Sequence, residues 1–205
     1  MSTSSTERYA LSFTSGGLLM REAALLAPLY LEALDWDRAR KSAIERNLLQ
    51  TRTLSSNMRL TRETVQRVSE LTDAEIAVLI EAGPSERQAL MWVAACRRYQ
   101  LIAEFAEEVV RERFLLMNPK VNLDDFDRFR IGKSLWHPEL EDLKPSTAQK
   151  LRQNLFRMLT EAGLLTDQWH IVPAMLSGRV AHLLGARTPS DIRFFPTTTS
   201  AGAEQ

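Results

Sequence analysis

Apolar positions recur every three or four residues along most of the chain, the period of helices buried on one face. The pattern predicts a first helix over 18–34 with Pro28 as a kink, and a second over 35–49 capped by Asp35. Ser55-Ser56-Asn57 reads as a turn, and a third helix follows over 61–71. Thr72 with Glu75 forms a capping-box pattern opening a fourth helix that ends near Gly83. Pro84 stands near the start of a long fifth helix reaching 116. Its core positions are Met91, Ala95, Ile102, Phe105, Ala106 and Val109, with Glu104, Glu107, Glu108, Arg111 and Glu112 on a solvated face.

Asn118-Pro119 then interrupts the periodicity. Helices are predicted over 124–135, 138–143 and from Pro145 to a Gly163 C-cap. Two short apolar runs flank Asp167-Gln168 and suggest a hairpin, and Pro173 starts a last helix to 184. The expected fold class is all-α: a helical bundle over 1–117, a helical, winged-helix-like region over 118–188, and a polar tail over 189–205. Within the tail Ile192, Phe194 and Phe195 could dock, while residues 1–6 look frayed. Helix, short helix, longer helix, hairpin is the order of a winged helix-turn-helix. Helical domains that serve protein contacts share that order.

Composition adds limits. With 205 residues and 44% hydrophobic content, an ordinary core can form. The apolar run in 9–31 is broken by Arg21 and Glu22 and weakened by Gly16-Gly17 and Pro28, so neither a spanning helix nor a signal peptide is expected. The single cysteine, Cys96, fits a reducing cytoplasm and reads as a buried thiol. The 26 Lys and Arg balance 26 Asp and Glu, so a polyanion-binding face requires charge to segregate locally.

It does segregate. Between 37 and 67 stand Arg38, Arg40, Lys41, Arg46, Arg52, Arg59, Arg62 and Arg67, against Asp37, Glu45 and Glu63: eight bases to three acids, or +5. Seven of the eight are arginine, the side chain suited to bidentate phosphate contact. A second candidate is the helix at 146–157. Its core stripe is Leu151, Leu155, Met158 and Ala162; Lys150, Arg152 and Arg157 flank it, and Gln149, Gln153 and Thr160 point outward. Ser146 and Thr147 could donate to phosphate at the helix start, and Gln149 and Gln153 could reach base edges. The plainer alternative is an amphipathic helix whose cations cover apolar surface with their stems. Phe156 falls on the outer face, where an aromatic usually packs against a neighbour.

Signs of catalysis are weak. Asp124, Asp125 and Asp127 read as decoration of a helix start, and His137, Glu139, Glu141 and Asp142 lack a ligand spacing. No metal, cofactor or catalytic residue is expected.

Four segments carry a resemblance. "YALSFTSGGLLMREAALLAPLYLE" (9–32), "NLLQTRTLSSNMRLTRETVQRV" (47–68), "WVAACRRYQLIAEFAEEVVRERF" (92–114) and "STAQKLRQNLFRMLTEAGLL" (146–165) resemble, in order and spacing, the BrxA family. That family is the small A component of BREX bacteriophage-exclusion systems. The resemblance implies a non-enzymatic helical protein, likened in fold to the antitermination factor NusB, that binds double-stranded DNA. It also implies BREX partners: a DNA methyltransferase, an ATPase and a phosphatase-like component. It does not choose between the two basic segments. A protein-docking role remains the alternative, with Trp136, Phe156 and Trp169 as anchors.

Overall fold

The structure is a computed structural model, and it describes residues 8–14 and 16–198. Residues 1–6 and the end of the polar tail lie outside that description. The described residues form a helical bundle with no strand longer than an isolated bridge.

α1 (Met20–Ala33) carries Pro28 within it, and α2 (Trp36–Glu45) starts on the Asp35 cap, whose carboxylate accepts from the Asp37 and Arg38 amides. α2 ends at Glu45, earlier than the periodicity suggests. α3 (Leu54–Val68) starts seven residues before its predicted beginning. Thr53 is the cap, and Ser55-Ser56-Asn57 is the first turn of the helix rather than a loop. The reason is a polar inner face: Asn57, Thr61 and Thr64 are buried and satisfied by the Ile44 carbonyl, by Asn57 itself and by the Leu60 carbonyl. Hydrophobic periodicity cannot register such a stripe.

α4 (Asp73–Glu81) opens with the expected Thr72–Glu75 capping box. α5 (Pro84–Arg98) is the central helix, buried on every side from Ala89 to Cys96. The predicted long helix breaks at Tyr99, whose φ of −124° and ψ of 93° are extended. α6 (Gln100–Phe105) then runs through a π-helical stretch (Ala106–Arg111) into α7 (Glu112–Leu115). The break carries the Tyr99 ring fully inward, against Phe13 at 5.1 Å, with its hydroxyl donating to Glu63.

α8 (Leu123–Ser134), α9 (Pro138–Glu141) and α10 (Pro145–Glu161) match their expected order. Gly163, with φ of 72°, takes the left-handed conformation at the turn after α10. Single antiparallel bridges, Leu165 to Ile171 and Lys120 to His170, hold the segment read as a hairpin. α11 (Gly178–Gly185) begins five residues after Pro173, on the Ser177 cap. Residues 173–177 are not helical, and the Ala174 amide donates to the Pro196 carbonyl.

One hydrophobic cluster runs from Tyr9 to Phe195 and includes residues of α3, α5, α8 and α10. Ile192, Phe194 and Phe195 do dock, and burial of each such side chain contributes about 1.5–3 kcal/mol. Trp92 donates its indole N–H to the Phe194 carbonyl at 3.0 Å. Beside it, the Arg97 guanidinium donates to Glu75 at 2.6 and 2.7 Å and to Asp191 at 2.7 and 3.0 Å.

The other end of the chain is a strap. The residues leading into α1 lie along α3, α5 and α10 without helical structure. Phe13 and Leu18 are fully buried. Asn154 of α10 donates to the Phe13 carbonyl at 3.1 Å, Arg67 of α3 donates to the Gly17 carbonyl at 2.6 Å, and the Leu18 amide donates to Glu161. A Cβ at Gly17 would fall against the Glu161 carboxylate, which would have to swing aside and give up the bond it accepts from the Leu18 amide.

Candidate nucleic-acid interface

The α3 sequence builds a two-sided helix. Asn57, Thr61, Thr64 and Val68 turn inward; Ser55, Met58, Arg59 and Arg62 are exposed. Across from this outer face, α2 presents Arg40, Lys41 and Ile44. Together with Asp37 and Glu45 they line a groove of about 900 Å³ between the two helices. Arg40 pairs with Asp37 at 3.0 Å and Lys41 with Glu45 at 3.9 Å. Such exposed pairs are worth about 0–1 kcal/mol each and exchange readily for another anion.

On its other side the same face opens into a second concavity, of about 690 Å³. It is lined by Arg59 and Arg62 of α3, Arg98 of α5, Lys150 of α10, and Ser12 and Thr14 of the strap. Arg59 and Arg62 therefore belong to both hollows. They join the Arg-rich segment to the helix over 145–161, two regions that sequence alone leaves unconnected. Among the described residues, Arg46, Arg52, Arg59, Arg62, Arg98 and Lys150 have no carboxylate within ion-pair distance. Glu63, the one acid among the described residues lining this second hollow, is turned to other uses: it accepts from Arg67 at 3.0 Å and from the Tyr99 hydroxyl. Burial and that bond to Glu63 hold the Tyr99 hydroxyl above its ordinary pKa.

The remaining candidates scatter. Arg67 is fully buried on the inner face of α3, locked to Glu63 and Gly17, so it cannot meet a polyanion; this corrects its place among the candidate contacts. Arg38 faces α1 and pairs loosely with Asp35 at 3.8 Å. Arg152 turns to α8, where it pairs with Asp127. Arg157 pairs with Glu161 at 3.7 Å. Ser146, Gln149 and Gln153 are exposed on α10, and Thr147 is half-buried. Phe156 is buried against Trp169, with ring centroids 5.6 Å apart, so neither is a free anchor. Leu135 and Trp136 are exposed at 79% and 74%.

Arg98 is the residue that sequence reading missed. Its signal was the Arg97-Arg98 pair at the end of an apolar helix, which reads as ordinary complement to the helix dipole. The acidic knot behaves as expected for a helix start: Asp125 accepts from the Asn122 amide at 2.7 Å and from Arg113 and Arg128 at 2.7 and 2.9 Å. Cys96 is buried, which pushes its thiol well above the ordinary value. Among the described residues no helix is long and apolar enough to cross a membrane, and no three His, Cys, Asp or Glu side chains are grouped to hold a metal ion.

The family model that matches this sequence is that of BrxA, over residues 7–188. The chain belongs to the BrxA family. A BREX protein BrxA from Paramagnetospirillum magneticum is 27% identical over 187 residues, covering 86% of this chain and 90% of the relative. Another, from Escherichia coli O9:H4, is 26% identical, covering 72% and 70%. A crystal structure of an uncharacterized protein from Magnetospirillum magneticum superposes with a TM-score of 0.78 at 24% identity, over 91% of this chain and 97% of that one. That likeness shows the fold.

Proposed function

We propose that the protein binds double-stranded DNA, with little sequence preference, as a non-enzymatic accessory component of a BREX phage-defence system. The observation that carries this reading is the placement of Arg59 and Arg62. Both are exposed, both lack a counterion among the described residues, and both link the α2–α3 groove to the hollow that Lys150 reaches. Arg46 and Arg52, exposed between α2 and α3, likewise lack an ion pair among the described residues. Phosphate contacts of this kind fix a protein on a duplex without reading its bases. Other BREX components, among them the methyltransferase, the ATPase and the phosphatase-like protein, are its expected partners.

The test is a fluorescence-anisotropy titration of a duplex at several salt concentrations. The triple variant Arg52→Ala, Arg59→Ala, Arg62→Ala should bind more weakly, and its slope of log K against log salt should shrink by about 0.9 for each phosphate it no longer neutralises. Unaltered affinity and slope in that variant would remove this surface from the account.

Leu135 and Trp136, bare at the end of α8, favour a second role in protein docking. Trp136→Ala should then reduce capture of a BREX partner while leaving the DNA titration where it was.

A further inference from the structure

The hollow beneath the strap differs in kind from the open groove beside it. Three helices and the strap converge on it, bringing Arg59, Arg62, Arg98 and Lys150 to a single concavity of about 690 Å³. Among the described residues none of these four cations has an ion pair. The Arg98 Nε is buried, with no hydrogen-bond partner among the described residues. Like charges gathered in a recess repel one another, and a recess also focuses their field. Glu63 relieves little of this, since Arg67 and Tyr99 already hold its carboxylate. Ser12, Thr14 and Gln66 supply neutral donors around the rim. The volume lies within the range of small-molecule pockets, about 300–1,000 Å³.

We infer that this hollow is a binding site for a short chain of linked phosphates, a di- or triphosphate, carried by a nucleotide or by free inorganic polyphosphate. A duplex presents its phosphates in a row on a convex surface, which suits the exposed ridge of α3 rather than a recess walled by the strap. A chain of linked phosphates carries several anionic groups, enough to offer one to each of the cations that α3, α5 and α10 bring to the lining. Arginine matches phosphate oxygens with paired N–H donors, which the half-buried Arg98 would supply, and the exposed Lys150 would add a point charge. Because Arg59 and Arg62 serve this site and the DNA surface alike, the occupied hollow should weaken DNA binding.

Calorimetric titration of the full chain with tripolyphosphate, without DNA, decides the matter. The expected result is saturable binding at one ligand per chain. Arg98→Met should weaken it by at least about tenfold through loss of a charge-assisted donor pair. Lys150→Met should weaken it also, and that exposed position keeps the test valid if the Arg98 variant does not fold. The paired variant Arg40→Ala, Lys41→Ala, confined to the neighbouring groove, should leave it within about twofold. No saturation, sulfate binding as tightly as tripolyphosphate at equal ionic strength, or equal losses in the groove variant and the hollow variants would each overturn the assignment. An ATP arm identifies the carrier: tighter binding than tripolyphosphate points to a nucleotide, equal binding to the bare phosphate chain. With DNA absent, failure here leaves the DNA reading standing, and failure of the anisotropy test leaves this titration to stand on its own result.

Discussion

Arg97 and Arg98 are neighbours in the last turn of α5, and they lead opposite lives. The Arg97 side chain is 6% exposed and donates to Glu75 and Asp191, which are as deeply buried as it is. It ties α4 and the C-terminal segment to the central helix. Arg98 turns the other way, into the hollow beneath the strap, and meets other cations. α3 repeats the contrast: Arg67 is enclosed and paired, while Arg62, five residues earlier, is exposed and has no ion pair among the described residues. Arginine count and charge density cannot distinguish the two kinds. Counterions do: a cation that has them within the fold belongs to the architecture, and a group of cations without them is available to an outside anion.

Breaking the enclosed member should have the largest effect on stability. Arg97→Met leaves Glu75 and Asp191 buried together without their shared cation. Removing one partner of a buried ion pair costs about 3–5 kcal/mol, because the remaining charge is uncompensated. Urea denaturation should show a midpoint lowered accordingly. Any folded fraction should still bind tripolyphosphate, since the hollow contains no part of this triad.

The acid limb of stability offers a smaller version of the same test. Burial alone would raise the pKa of Glu75; the Arg97 hydrogen bonds and the Thr72 amide outweigh it, and the carboxyl ends below its ordinary value. A carboxyl depressed by folding contributes stability above its unfolded pKa, about 4.3, and loses it as pH falls through the folded value. Glu104 is depressed likewise: burial opposes the shift, and Lys133 and Tyr9 prevail. Stability measured by denaturation should therefore fall below about pH 4–5. In Glu75→Gln that decline should be shallower, from a lower plateau at neutral pH.

Much of the scaffold could be read from the order of residues alone, for physical reasons that are easy to name. The Asp35 cap, the Thr72–Glu75 box, Pro84 at the start of α5 and Gly163 after α10 are local signals, decided by backbone donors within a few residues. The docking of Phe194 and Phe195 followed from apolar bulk in a polar stretch. Three things were illegible. The start of α3 was hidden because its inner face is made of Asn57, Thr61 and Thr64. The break at Tyr99 was hidden because Tyr99 lies within an unbroken helical period, and only tertiary burial bends it. The hollow was hidden because its cations come from positions 59, 62, 98 and 150, which folding alone brings together. The same blindness put Arg67 among the surface cations.

The smallest expected effect on stability is the sharpest test of the contrast. Arg59→Ala with Arg62→Ala removes two cations with no carboxylate partner among the described residues, so no ion pair is broken and no buried acid is exposed. Exposed substitutions away from caps and cores change stability by about 0.5 kcal/mol or less. Here the sign could even favour folding, because Arg98 and Lys150 lose two like-charged neighbours across a recess that focuses their repulsion. The urea midpoint should stay put or rise slightly while affinity for both duplex and tripolyphosphate falls. A midpoint lowered as far as that of Arg97→Met would mean that these arginines hold the bundle together through contacts of their own. In that case the distinction drawn by counterions would not separate architecture from binding in this protein.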